Sequence, residues 1–321
     1  MEIKYLQSGG LITNYYCTCS CRHCLYRCGP HWPKHYISAT VASIAFETAI
    51  RLSCPSLHIG GGEPFLNFRA LVDVLKVARS KGIQVEYIET NASWCIDEDR
   101  VKERLEKLLS LGVTTLLISI SPFHLERVPL ARTYTLLRAC KNTGMGTFPW
   151  SQEFLNDFSR LDPRRCYTLE ELEEIFGPGY IKSIPNRYWI HPGGRALELY
   201  FQEGFTLEQL LELFPYGCEE LTNTSHFHMD LYGNYVPGLC SGLAIAVADL
   251  GHQLPQGKYP ILNLLSKKGI KGLFEMACSM GFKAKRRSYG SKCLLCLEIR
   301  SFLVEKKGVF HELAPLEYYY Q

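Results

Sequence analysis

The sequence predicts an α/β fold built on a parallel sheet, followed by a smaller second domain. Three observations carry this. Strand-like runs begin near residues 11, 56, 84, 114 and 145. A segment of helical spacing separates each run from the next, the rhythm of repeated βα units. After about residue 200 the rhythm stops, and helix, hairpin-like and loop segments with scattered cysteines take over. Residues 1–200 and 201–321 are therefore read as two domains.

Taken in order, Leu11 to Tyr15 reads as a short strand, and a cysteine-rich loop follows it. Thr40 to Leu52 has helical spacing, with Ser38 as its N-cap. Ser56 to Gly60 is a buried strand that runs into Gly61-Gly62-Glu63-Pro64. Phe68 to Lys81 is an amphipathic helix closed by Gly82. Gln84 to Thr90 is strand-like, and Asp97 to Leu109 is a charged, leucine-striped helix. Thr114 to Ser119 is an apolar, β-branched strand, Leu130 to Asn142 a helix, and Met145 to Pro149 a further strand. A sixth strand is placed between Tyr180 and His191, in a proline-bearing region. Thr206 to Phe214 reads as a helix, and Phe227 to Pro237 as a hairpin around Gly233-Asn234.

At 321 residues, 46% hydrophobic and 21% charged, the composition is that of a soluble globular protein. A net charge of +3 gives no electrostatic footprint for nucleic acid, and the short basic cluster from Lys283 to Arg287 reads as a solvated face. No signal peptide or membrane-length apolar run is evident, so the expected setting is cytoplasmic, with no nucleic acid and no membrane as partners. The 14 cysteines cluster tightly, which without an export signal reads as metal ligation rather than disulfides.

Cys17, Cys21 and Cys24 form a C-x3-C-x2-C triplet. Three such thiolates can hold three irons of a [4Fe-4S] cluster, leaving the fourth iron open for chemistry, as a catalytic zinc keeps one position free. Zinc completed by Cys19 or Cys28 is the alternative. Together with the downstream Gly-Gly-Glu-Pro, the triplet resembles the radical S-adenosylmethionine (SAM) superfamily. That resemblance implies a partial (β/α)6 TIM-like barrel whose chemistry gathers at the C-terminal ends of the strands. It implies that SAM is chelated by the open iron, that Gly61, Gly62 and Glu63 bind its amino group, and that His23 lies near its adenine. Asn91 at the tip of the third strand, and Ser119 and Ser121 at the end of the fourth, are candidates for further SAM contacts. The implied reaction is reductive cleavage of SAM to a 5′-deoxyadenosyl radical that abstracts hydrogen from a substrate C–H bond, fed by a flavodoxin- or ferredoxin-type electron donor.

Cys218, Cys240, Cys293 and Cys296 form a second set, and their order around a Gly-Asn hairpin resembles the SPASM or twitch extensions of radical SAM enzymes. An auxiliary [4Fe-4S] cluster is the implied occupant and structural zinc the alternative. The match is imperfect, because two residues separate Pro237 from Cys240 where the usual pattern has none. His124 and Glu126, after the fourth strand, are candidates for proton handling or substrate binding. His226 and His228 share a face if their segment is a strand, pointing to the site or to solvent. The expected substrate is a peptide or protein, although the chain begins almost at the barrel, without room for an N-terminal peptide-recognition domain. A small metabolite, or a non-catalytic zinc- or cluster-bearing module, are the competing readings.

Overall fold

The computed structural model describes residues 1–307 and 310–320. Its centre is an eight-stranded sheet in the order β5-β4-β3-β2-β1-β6-β7-β8. Strands β1 (Gly9–Ile12), β2 (Ser56–Gly60), β3 (Gln84–Thr90), β4 (Thr115–Ser119) and β5 (Gly146–Trp150) are parallel, as the βα rhythm predicts. Helices α1 (Ala39–Arg51), α2 (Phe68–Lys81) and α3 (Glu98–Ser110) make the crossovers up to β4. The short α4 (Pro122–Leu125) and the longer α5 (Leu130–Thr143) lead from β4 to β5.

The local chemistry behind these elements is plain. The Ser38 hydroxyl accepts from the Val41 N–H, and the Asp97 carboxylate accepts from the Arg100 N–H, so each caps its helix. Leu71, Val74, Leu75 and Ala78 of α2 are buried, which is the stripe that sets its orientation on the sheet. The first strand sits two residues earlier than the pattern suggests. Gly9 and Gly10 carry no β-forming side chain, yet β1 is a central strand, hydrogen-bonded to β2 on one side and β6 on the other.

The sixth strand is not between Tyr180 and His191. That stretch forms the short helix α8 (Tyr180–Ser183) and a 3₁₀ turn at Ile184–Asn186, and Pro185 cannot donate to a strand ladder. From β5 onward, α6 (Glu153–Phe158), α7 (Leu169–Phe176), α8, α9 (Ala196–Tyr200) and α10 (Leu207–Leu213) follow one another without a strand. The sixth parallel strand is β6 (Phe227–Asp230), the first arm of the predicted hairpin, and it joins β1 rather than β5. Phe227 pairs with Gly9 and Asp230 with Ile12. The hairpin closes through Asp230, whose carboxylate accepts from the Tyr232 and Asn234 N–H groups. The second arm is β7 (Asn234–Val236), and β8 (Ile245–Ala246) completes the edge, both antiparallel. The sheet thus runs across residue 200, where the sequence suggests a boundary. The chain then ends in α11 (Pro260–Ser279) and α12 (Lys292–Lys307), with Tyr318 and Tyr319 buried against the body. No helix among the described residues is long and apolar enough to cross a membrane.

Phe227 is fully buried where β6 meets β1. Replacing it with alanine is expected to lower the unfolding free energy by about 3–5 kcal/mol in one cooperative urea transition. An unchanged midpoint, or a small separate transition, would show that β6 is not part of the main core.

Candidate functional site

The loop between β1 and α1 carries Cys17, Cys19, Cys21, Cys24 and Cys28, and the Gly61-Gly62-Glu63 turn leaves the tip of β2 beside it. Asn14 binds the two together. Its side-chain amide donates to the Tyr16 carbonyl at 2.9 Å and to the Glu63 carbonyl at 3.2 Å. The Gly62 N–H donates to the Asn14 carbonyl, and the Glu63 N–H to the Tyr16 carbonyl. This close approach requires the glycines: a Cβ on Gly61, where φ is +149°, would lie 2.7 Å from the Asn14 carbonyl oxygen, and one on Gly62 would strike the Tyr16 carbonyl.

The Glu63 carboxylate is buried and engaged by the protein. It accepts from the Asn91 N–H at 2.7 Å, the Thr90 hydroxyl at 2.9 Å and the Phe65 N–H at 3.2 Å. Burial nonetheless pushes its pKa up to about 7. The carboxylate therefore pins the turn to the tip of β3, and the turn's backbone is what it offers to a ligand. Asn91 in turn directs its amide at the Cys17 sulfur (3.3 Å) and the Cys19 sulfur (3.4 Å). A second clamp comes from Arg195, which donates to the Cys21 carbonyl at 2.9 Å and the Cys28 carbonyl at 2.6 Å, while its N–H donates to the Cys24 carbonyl.

Of the predicted triplet, Cys17 and Cys21 are buried and Cys24 is half-buried. Cys19 lies between the first two in sulfur contact, and Cys28 beside Cys24. A hydrogen bond from Cys28 lowers the Cys24 thiol to about 5 against the opposing effect of burial, with the Arg195 charge assisting. The hydrogen bond to Cys19 and burial hold Cys17 well above the ordinary thiol range.

His23 packs on Phe123 with ring centroids 4.5 Å apart and faces His124 at 5.6 Å. His124 hydrogen-bonds the Ser121 hydroxyl through Nδ1 at 2.7 Å, and burial lowers its pKa to about 4. The structure thus gathers His23, Ser121 and His124. Ser119 is half-buried at the end of β4, opposite Trp150 in register. Glu126 is elsewhere engaged: its carboxylate meets the Arg22 guanidinium at 3.6 Å, which anchors the cysteine loop to α4. Two buried polar atoms, His23 Nδ1 and the Ser93 hydroxyl, have no partner among the described residues. Unpaired polar atoms and gathered thiols beside an open glycine turn fit a polar, metal-bound ligand.

Cys218, Cys240, Cys293 and Cys296 line a single cavity of about 600 Å³. Cys293 and Cys296 lie one turn apart on α12, Cys218 precedes a 3₁₀ turn at Glu219–Thr222, and Cys240 follows β7. Burial pushes the Cys293 thiol up to about 12, and burial plus the three neighbouring thiols raise Cys240. Two cations attend them. Lys292 lies 3.6 Å from the Cys218 sulfur and 2.6 Å from Glu220. Arg300 is buried, donates to the Ser241 carbonyl (2.9 Å) and the Tyr319 hydroxyl (3.1 Å), and makes no ion pair with a carboxylate among the described residues. A buried guanidinium beside four thiols fits an anionic tetrathiolate centre.

Sequence reasoning missed Asn14, Arg195 and His58. Arg195 follows Gly193-Gly194, a close-approach signal in hindsight, because a Cβ on Gly194 would strike the Cys24 carbonyl. His58 is a histidine inside a strand read as buried, and His228 is buried beside it, with Nε2 atoms 3.0 Å apart. Of the two hairpin histidines, His228 therefore points inward and His226 is partly exposed.

No family model matches the chain. It is 28% identical over 166 residues to YydG of Bacillus subtilis (strain 168), a protein named for peptide biosynthesis, covering 50% of this chain and 49% of YydG. The chain therefore spans about half the length of that curated relative. Among solved structures, Streptococcus suis SuiB is 15% identical at a TM-score of 0.41, covering 88% of this chain and 69% of SuiB. The structure of anSMEcpe with bound AdoMet and Cp18Cys peptide is 13% identical at a TM-score of 0.40, covering 93% and 97% of the two chains. Superpositions that loose carry no information about the site. The cysteine triplet, the glycine turn stitched to it and the parallel βα sheet that positions both are the features in which the chain resembles the radical SAM superfamily.

Replacing Asn14 with alanine removes the amide that holds loop to turn. The expected loss is about 1–3 kcal/mol of unfolding free energy, with faster reaction of the loop thiols toward a disulfide reagent in the apo protein. Unchanged stability and thiol reactivity would show that the contact is not structural.

Proposed function

We propose that this chain is an enzyme that cleaves SAM reductively and modifies a peptide or protein at a C–H bond. The observation that carries the reading is the Asn14 stitch, which puts the glycine turn against the cysteine loop. Cys17, Cys21 and Cys24 are the residues that would hold a [4Fe-4S] cluster. When bound, cluster and SAM supply a one-electron cleavage that yields a hydrogen-abstracting 5′-deoxyadenosyl radical. A flavodoxin- or ferredoxin-type protein is the proposed source of the electron.

The protein's own part is orientation and exclusion of water. Gly61 and Gly62 offer backbone to the amino group of SAM, and Glu63 is a positioning residue that fixes them to β3. Asn91 donates to the Cys17 sulfur, which favours its anionic, ligating form. His23 offers an unpaired ring nitrogen on the adenine side, and Ser119 and Ser121 border the same mouth at the end of β4. His124 is neutral near pH 7, with Nδ1 held by Ser121, and is proposed to contact the substrate through the rest of the ring. Glu126 serves through its ion pair with Arg22. Cys218, Cys240, Cys293 and Cys296 are proposed to hold an auxiliary [4Fe-4S] cluster in a SPASM- or twitch-like C-terminal region, residues 201–321, that shares the central sheet, with Arg300 and Lys292 balancing its charge. The half-length match to a protein named for peptide biosynthesis supports the peptide substrate.

Anaerobic reconstitution followed by reduction and SAM is expected to give 5′-deoxyadenosine, and Cys24→Ala is expected to abolish it. A colourless chain that binds only zinc at the triplet and forms no deoxyadenosine would leave the non-catalytic reading. Iron content is the second check. Two sites should lose about four irons per chain when Cys293 and Cys296 become alanine, and an iron content unchanged by those substitutions would reject the auxiliary cluster.

A further inference from the structure

Three histidines outside both thiol sets converge over the middle of the sheet. His58 lies on β2 and His228 on β6, and the strand between them places Gly10 opposite both. A Cβ on Gly10 would strike the His58 ring. With no side chain on the middle strand, rings from two strands that are not neighbours reach one another, and their Nε2 atoms lie 3.0 Å apart. His226, two residues before His228, stacks on His58 with centroids 5.2 Å apart. One ring nitrogen from each of the three falls within 4.8 Å of the others. Glu89 at the end of β3 brings a carboxylate oxygen to 3.7 Å from His58 Nε2.

We propose that His58, His226 and His228 bind one divalent transition-metal ion of the zinc class, flanked by Glu89, and that the ion ties β6 to the sheet. Zinc–nitrogen bonds of about 2.0–2.1 Å at tetrahedral angles place ligand nitrogens about 3.3 Å apart, so the His58–His228 pair needs only a few tenths of an ångström of adjustment. His228 has the outer partner that metal-bound histidines keep: the Tyr26 hydroxyl lies 2.8 Å from its Nδ1, leaving Nε2 to face the other rings. Burial holds the three rings neutral, the form that ligates. Nitrogen donors select zinc, cobalt or nickel over magnesium or calcium. Three histidines leave a fourth position for Glu89 or water. Tyr26 stands between Cys24 and Cys28, so the ion would also brace the cysteine loop from below. Its ligands share no residue with either thiol set.

Anaerobic Co2+ titration separates the two ligand chemistries. Thiolate ligation gives an intense near-ultraviolet charge-transfer band, whereas nitrogen and oxygen ligation gives only weak visible bands. The expected result is one Co2+ beyond what the thiols take up, contributing visible bands but no sulfur band and displaced by Zn2+. His226→Ala and His228→Gln should weaken that uptake about tenfold or more without altering any sulfur band. His226 is partly exposed, so His226→Ala carries little folding risk, and Zn2+ should raise the Tm of the unmodified chain by more than that of the variant. Cobalt stoichiometry, visible bands and affinity that are the same in His226→Ala, His228→Gln and the unmodified chain overturn the proposal and leave a hydrogen-bonded histidine cluster.

Discussion

The carboxamide of Asn14 is the contact on which the site depends. It spends both N–H groups on carbonyls from segments far apart in sequence, one in the cysteine loop and one in the glycine turn. Neither segment has a regular ladder of its own at that point, so their relative position is set by these bonds and the two backbone bonds beside them. The cost of the arrangement falls on Gly61 and Gly62, which must give up side chains so that the two backbones can touch. Glu63 completes the assembly by tying the turn to Thr90 and Asn91, which carries the constraint onward to the sulfur of Cys17. One row of hydrogen bonds thus links the tips of β1, β2 and β3 to the first thiol.

Charge compensation follows the same economy in both thiol sites. Thiolates in a buried setting need cations or N–H donors close by. Arg195 serves the first set through carbonyls of the loop, and Arg300 with Lys292 serves the second. The two sets share a wall. His191, Gly193 and Gly194 line the cavity of the second site, while Gly194 packs against Cys24 and Arg195 grips the first loop. The five residues from His191 to Arg195 therefore border both thiol sets.

Much of the fold was legible because the βα units obey simple periodicity. Phe68–Lys81 and Gln84–Thr90 agree residue for residue, and Ser38 caps where its side chain predicts, while Asp97, read as the first helical residue, is the cap before Glu98. The failures have physical reasons. β6 reads as half of a hairpin, and nothing local reveals that its outer edge would find Gly9 to Ile12, more than two hundred residues earlier in the chain. Strand β1 was displaced because its pairing is fixed by two neighbours, not by its own glycines. In the site, the cysteines and glycines announce themselves by spacing. Asn14, Arg195 and His58 do not, because their roles come from tertiary approach and from what their neighbours lack. The ion pair of Glu126 is equally hidden in the sequence, since Arg22 comes within reach only as the loop folds onto α4.

The most direct test of an open iron corner in the cysteine loop is the electron paramagnetic resonance spectrum of the reduced, reconstituted chain, recorded with and without SAM. A change in the signal on adding SAM, retained when Cys293 and Cys296 are replaced by serine, is the expected result. A spectrum indifferent to SAM would contradict direct ligation at that corner, and with it the chemistry assigned to this chain.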